Sequence, residues 1–275
     1  MVPSGPVLIG ACLSMPIDPT SFAALCAVAL VAGCLDAIAG GGGLLTVPAL
    51  IFAGLDPRAV LATNKLQGSF GTASATSAFA RAGHLPLGSW PFALAAAAGS
   101  VVGALTLDHV PQRAVSVALP FVLLGVASYF ALSPRFGDGE RHRLLSRPAF
   151  LATLVPLVGL YDGVFGPGAG SFYMAGLVAV LGFGVVRATA HTKLCNLASN
   201  LAGLATLALG GHVIWALGLA MGVAQFAGAQ IGARLAMRHG ARLVKPLIVT
   251  ISLVLAAKLA LTPGHPIHDA IFAAR

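Results

Sequence analysis

Three stretches of this chain carry no Asp, Glu, Lys or Arg at all: Thr20 to Leu35, Gly83 to Leu107 and Ala114 to Ser133. A helix needs roughly 20 mainly apolar residues to cross the ~30 Å hydrocarbon core of a bilayer, and stretches of this kind leave few other folds open. Composition agrees. Only 9% of the 275 residues are charged and 57% are hydrophobic, against about 25% charged in a soluble domain; mean hydropathy is +0.91. The short alternating segments of an outer-membrane barrel are absent. The expectation is an all-α integral membrane protein with lipid bilayer as its solvent.

The net charge of +8 does not call for nucleic acid, because the basic residues cluster in loops as the positive-inside rule expects. Arg135, Arg141, Arg143 and Arg147 mark a central cytoplasmic loop, and Arg234, Arg238, Arg242 and Lys245 mark a second. Threading the chain through these constraints places Arg81 and Arg187 inside, with Arg58, Arg113 and Arg275 outside, so both termini are expected to be periplasmic. Cys12, Cys26, Cys34 and Cys195 lie in apolar stretches without CxxC spacing and read as packing residues. Ile9-Gly10-Ala11-Cys12 has no basic residue before it, which argues against a signal peptide.

Hydrophobic segments fall near 20–40, 44–54, 59–80, 86–107 and 113–133, then near 148–165, 170–183, 187–209, 213–235 and 243–262. The two sets correspond in order. Asp36, Gly40 and Gly42 match Asp162, Gly166 and Gly168 at an offset of 126; Lys65 and Gly83-His84 match Lys193 and Gly211-His212 at 128; Gly99 and Gly103 match Gly228 and Gly232 at 129. Chance supplies single pairs of this kind, not an ordered series. The reading is two transmembrane repeats, 20–133 and 148–262, joined by a cytoplasmic linker at 134–147. Five crossings per repeat is an odd number, which inverts one repeat relative to the other, as in many secondary transporters. If the short second segment of each set re-enters rather than spans, the crossing count changes.

Within this frame, "DAIAGGGGLLTVP" (36–48) and "DGVFGPGAGSFY" (162–173) are anomalous. Four successive glycines cost about 1 kcal/mol each in a helix interior, and a broken helix at membrane depth survives only inside protein or along a watery cavity. A helix that restarts near Leu44 exposes N–H groups and a positive dipole end suited to an anion. Gly41, Gly42 and Gly43 are candidate donors in the first half, Gly168 and Gly170 in the second. The plainer alternative is that small residues only allow close helix packing, the role expected for Gly99, Gly103, Gly228 and Gly232.

Four ionisable residues lie inside apolar segments: Asp36, Asp162, Lys65 and Lys193. At roughly 3 kcal/mol each, they demand partners, and their signs balance. One reading is two structural Asp–Lys bridges; the other is that the lysines bind an anion in a central cavity while the aspartates hold them or exchange protons. Snorkelling is a third reading for Lys65, near the start of its segment, and for Lys258. Asn64, Thr192 and Asn196 flank the lysines and are candidate substrate contacts. Polar stripes run along Lys65, Ser69 and Thr72, and along Lys193, Asn196 and Asn200. His191 either relays protons or is a hydrogen-bonded core residue. His84 and His212 read as interfacial, and His265, His268 and Asp269 form no recognisable metal set.

The segments "GCLDAIAGGGGLLTVPAL", "ATNKLQGSFG", "YDGVFGPGAGSF" and "TAHTKLCNLASN" resemble the sulfite exporter TauE/SafE family, particularly its YfcA-like branch, over roughly Phe22 to Lys258. The resemblance implies a multi-pass permease of the bacterial inner membrane that moves small anions such as sulfite or organosulfonates, with no enzyme activity, cofactor, metal or nucleic acid involved; homo-oligomerisation stays open. Pro167 and Ala169 interrupt the second glycine motif, so a site on the axis between the halves is expected to be lopsided. Two other classes compete with this reading: an intramembrane aspartyl-protease type, disfavoured because a lysine is available to keep each aspartate ionised, and a non-transporting scaffold subunit. A dinucleotide fold lacks its final glycine and strand setting, and a P-loop lacks its Gly-Lys-Ser/Thr.

Overall fold

The computed structural model describes residues 18–106 and 137–261, with isolated positions at 124, 128, 131 and 132. The expected segment at 113–133 and its Arg113, Cys12 with the stretch around it, Arg135, and the C-terminal His265, His268, Asp269 and Arg275 lie outside the described residues, as does the side chain of Lys258. Among the described residues, the regular structure is helical throughout. The helices are α1 (Pro19–Ala39), α2 (Gly43–Phe52), α3 (Pro57–Arg81), α4 (Trp90–Thr106), α5 (Arg147–Ala152), α6 (Leu154–Val164), α7 (Ala169–Ala179), α8 (Val185–Ala208), α9 (Trp215–His239) and α10 (Ala241–Leu261).

Local signals start and stop these helices. Asp18 caps α1, accepting from the N–H groups of Thr20 and Ser21 at 2.9 and 3.0 Å, and Asp56 caps α3 through Arg58 and Ala59; each is followed by a proline in the first turn. The glycine motifs stop α1 and α6. Gly40 and Gly166, matched in the sequence, have matching φ values of +75° and +80°, a backbone state that side chains other than glycine reach at a cost. The helices resume at Gly43 and Ala169.

Burial runs opposite to that of a soluble protein. Lys65, Lys193, Asp36, Asp162, Asn64, Gln67 and Gln225 are buried, while Leu30, Val31, Leu94, Leu105, Val223 and Ile231 face outward. Helices α1, α4 (with the preceding 3-10 turn) and α9 are long and apolar enough to cross a membrane. Helices α3 and α8 are as long but carry polar faces that turn inward.

Helices α1 and α2 form a hairpin, and so do α5–α6 and α7. The first hairpin opens at one end of the bundle, where Phe22, Leu25, Leu50, Ala53 and Leu55 pack with Val60, Ile214 and Leu217. The second opens at the opposite end, where the linker folds back on the α7–α8 turn: Arg141 N–H donates to Gly182 O at 2.8 Å and Leu144 N–H to Val180 O at 2.7 Å. With 10 and 11 residues, α2 and α7 are about 15–17 Å long, half the hydrocarbon thickness, so neither crosses alone. Each returns to the end from which its hairpin entered.

The hairpins meet tip to tip. A Cβ on Gly40 would lie 2.7 Å from the carbonyl carbon of Gly170, and one on Gly170 would lie 2.8 Å from Gly40 Cα. Ser171 Oγ donates to Gly40 O at 3.1 Å. Around the tips α1 packs on α9, α4 on α6, α3 on α9, α4 on α8, and α3 on α8. Glycines set the closest approaches. Cβ atoms on Gly99 and Gly228 would fall 2.1 Å from Pro156 O and 1.9 Å from Leu30 O, and those on Gly103 and Gly232 would meet Leu160 O and Cys34 O. The packing role expected for these four positions is thus the observed one.

The second basic loop read from the sequence is not a loop. Helix α9 runs to His239 and α10 starts at Ala241, with Gly240 alone between them. Basic side chains are favourable in the last turn of a helix, so they close α9 instead of leaving it. Asp138 of the linker accepts from Ala241 N–H at 2.9 Å. The linker end gathers Arg141, Arg143, Arg147, Arg187, Arg238 and Arg242 together with Arg81 at the end of α3; Arg58 is at the opposite end.

Candidate functional site

A cavity of about 30 Å³ lies where the hairpin tips meet. The first tip contributes Asp36, Gly41, Gly42 and Gly43; the second contributes Asp162, Gly166, Gly168, Ala169 and Gly170. Asn64, Gly68 and Thr72 of α3 face Asn196 and Asn200 of α8, and Gln225 of α9 completes the wall. One water needs about 10–15 Å³, so the cavity has room for two or three waters.

Behind the lining, two buried ion pairs cross between the halves. Lys65 Nζ donates to Asp162 Oδ1 at 2.7 Å, and Lys193 Nζ lies 3.1 Å from Asp36 Oδ2. Both lysines are sealed, 2% and 0% exposed. Lys65 therefore does not snorkel; its ammonium turns inward because a carboxylate is within reach there. Each carboxylate also has further partners. Asp36 Oδ1 accepts from Gly41 and Gly42 N–H at 2.9 and 3.0 Å, and Lys193 also donates to the main-chain oxygen of Asp36. Asp162 Oδ2 accepts from Ser199 Oγ. The free N–H groups expected at the first break are thus filled, at Gly41 and Gly42, by the chain's own carboxylate.

Of the residues singled out from the sequence, Asp36, Asp162, Asn64, Asn196, Gly41, Gly42, Gly43, Gly168 and Gly170 line the cavity. Lys65 and Lys193 stand one layer behind it, on the carboxylates. Thr192 is fully buried beside Lys193 in the chain but outside the lining. His191 is elsewhere: Nδ1 donates to Arg187 O at 2.9 Å, Nε2 accepts from Ser89 Oγ at 3.1 Å, and the ring packs between Phe92 and Phe183. Two ring nitrogens so engaged fit a neutral core histidine.

Thr72 and Asn200 belong to the polar stripes read from the sequence but not to its candidate substrate contacts, and Gln225 and Gly68 are in neither group. Gln225 is an amide in the apolar run "MGVAQFAGAQ", the one signal that marked it. Gly71 makes room for it, since a Cβ there would lie 2.7 Å from Gln225 Cγ, and Gly68 likewise makes room for Asn200 at 3.2 Å. Asn64 Oδ1 accepts from Thr46 Oγ1 at 2.7 Å and Gln67 Nε2 at 3.0 Å, which ties α2 to α3.

The sequence profile described as Sulfite exporter TauE/SafE matches residues 25–259. This chain belongs to the TauE/SafE family. Its relatives carry transporter names. It is 50% identical to the probable membrane transporter protein ORF9 of Sinorhizobium sp over 241 residues, 87% of this chain and 92% of that one. It is 44% identical to the probable membrane transporter protein YfcA of Escherichia coli K12 over 244 residues, 88% and 91% of the two chains. A probable membrane transporter protein of Haemophilus influenzae is 38% identical over 251 residues, 91% and 98%. No solved structure matches. Within this TauE/SafE chain the matched region takes in both hairpin tips, both ion pairs and every residue of the cavity wall.

Proposed function

We propose that this TauE/SafE protein is a secondary transporter of small anions, of the sulfite or sulfonate class, in the bacterial inner membrane, and that it works as an exporter. The observation that carries the reading is the meeting of two broken-helix hairpins, entering from opposite ends, around one polar cavity backed by two lysines. Hairpins opening to opposite sides suit alternating access: parting one set of contacts would open the cavity to one face while the other stays closed.

An inverted pair of repeats fits the contacts. The approach of Gly228 to Leu30 and that of Gly99 to Pro156 are related by the sequence offsets of 129 and 126, and so are those of Gly232 to Cys34 and Gly103 to Leu160. The gathering of arginines at the linker end supports a cytoplasmic position for that end and a periplasmic one for the opening of the α1–α2 hairpin. The protease reading loses ground, because each aspartate is held in its own ion pair instead of sharing a proton with the other.

Transport is tested with purified protein in proteoliposomes loaded with sulfite. Lys65→Ala and Lys193→Ala are each expected to abolish efflux while inserting normally, and His191→Gln to retain it. Efflux at the wild-type rate from both lysine variants refutes the assignment.

A further inference from the structure

The two ion pairs look equivalent in the sequence but not in space. Lys193 grips Asp36 twice, at a carboxylate oxygen and at the main-chain oxygen, while the other carboxylate oxygen gathers Gly41 and Gly42 N–H. These bonds tie the first tip into a closed loop. Its interior is full: a Cβ on Gly42 would lie 2.9 Å from Asp36 Cβ and 3.1 Å from Ala32 O. Moving Lys193 away would leave both a main-chain oxygen and a carboxylate without their cation.

The other pair is simpler and more open. Lys65 donates to one oxygen of Asp162, and Ser199 holds the other. None of the described N–H groups of the second tip bonds to Asp162 in the way Gly41 and Gly42 bond to Asp36. At Gly166 there is room: a Cβ would sit 3.6 Å from Asp162 Oδ1, 3.7 Å from Lys65 Nζ and 3.8 Å from Asn64 Nδ2, all ordinary contact distances. A ligand atom there touches an ammonium, an amide and Asp162 Oδ1 at once, so an anion needs the Lys65 ammonium turned toward it and away from the carboxylate. Ser199 remains on Asp162 when Lys65 turns away, so the carboxylate keeps a donor.

Resting on the anion-transport reading above, we infer that the halves divide the work: Lys65 leaves Asp162 to bind the anion at the Gly166–Asn64 corner, whereas Lys193 stays on Asp36 as a positioning residue that keeps the first tip folded. Both carboxylates keep a donor when their lysine leaves, so neither is stripped bare; what separates the pairs is that Lys65 gives up one bond and has room beside it, whereas Lys193 gives up two, one of them to the main chain of the tip.

The test uses the full chain in detergent, with sodium sulfite affinity by calorimetry and Tm without ligand. Lys65→Gln is expected to weaken sulfite binding at least 30-fold. Lys193→Gln is expected to lower Tm more than Lys65→Gln does, and to hold affinity within threefold at temperatures where it is folded. Ser199→Ala keeps the test readable if Lys193→Gln does not fold: removing the hydroxyl leaves Lys65 as the sole side chain holding Asp162, and affinity is expected to fall five- to tenfold. Equal loss of affinity in the two lysine variants, loss in Lys193→Gln alone, or unchanged affinity in Ser199→Ala overturns the division of labour and leaves anion transport standing. A wild-type protein that binds none of sulfite, sulfate and methanesulfonate, and moves none of them in proteoliposomes, overturns the transport reading and this inference with it.

Discussion

Gly228→Ala adds one methyl group where α1 and α9 come closest. The new Cβ would lie 1.9 Å from Leu30 O, 2.8 Å from Leu30 C and 3.1 Å from Cys34 N. All three are backbone atoms, so no side chain can turn aside. Restoring a tolerable contact near 3 Å requires the helices to separate by about 1 Å, and a gap of that size forfeits a quarter to a half of each dispersion contact of roughly 0.1–0.2 kcal/mol. For about 40 atom contacts along the seam the loss is on the order of 2–3 kcal/mol, within the usual range for over-packing. At about 2–4 °C per kcal/mol for a chain of this size, Tm is expected to fall by roughly 5–10 °C in thermal unfolding of the detergent-purified protein. Gly99→Ala, 2.1 Å from Pro156 O, is expected to match it. Gly88→Ala, with nothing within 4 Å of the added carbon, serves as the control and is expected to stay at the wild-type Tm. Transport should fall with Gly228→Ala even below Tm, because α1 carries Asp36 and α9 carries Gln225. If Gly228→Ala melts with the control, the helices are not in backbone contact and the packing argument fails.

A double-mutant cycle on Lys65 and Asp162 is expected to show strong coupling. Lys65→Met or Asp162→Leu alone strands a buried charge and costs about 3–5 kcal/mol, whereas the double variant costs less than either; additive losses in chemical denaturation would contradict direct pairing. Gly168 holds φ at +87°, so Gly168→Ala is expected to lose about 1–2 kcal/mol of stability through backbone strain and to slow anion flux, while Gly137→Ala, with open space around it, changes neither.

Much of the site was legible because a membrane makes each polar residue expensive. Asp36, Asp162, Lys65 and Lys193 stood out in apolar sequence for that reason, and the glycine clusters stood out because four successive glycines in the first, and Gly166, Pro167, Gly168 and Gly170 in the second, disfavour a continuous helix. The spacing of Gly99 and Gly103, and of Gly228 and Gly232, likewise showed where helices touch. What the linear order hid was partnership. Lys65 could have paired with Asp36 of its own half as readily as with Asp162, 97 residues away, since charge balance is the same either way. The second basic stretch reads as a loop for a related reason: charge marks the membrane boundary, and it does not say whether the backbone there bends or stays helical, as it does on both sides of Gly240.

Sequence by itself determined that the chain lives in lipid, that its helices break at two matched places, and which ionisable groups must find partners, because these follow from transfer energies and backbone preferences that act locally. Only the tertiary structure decided that the broken tips touch, that the ion pairs cross between halves, and that Asp36 closes its own loop while Asp162 leans on Ser199. Those outcomes depend on distances between atoms remote along the chain, and a carboxylate chooses among equivalent ammonium groups by geometry alone.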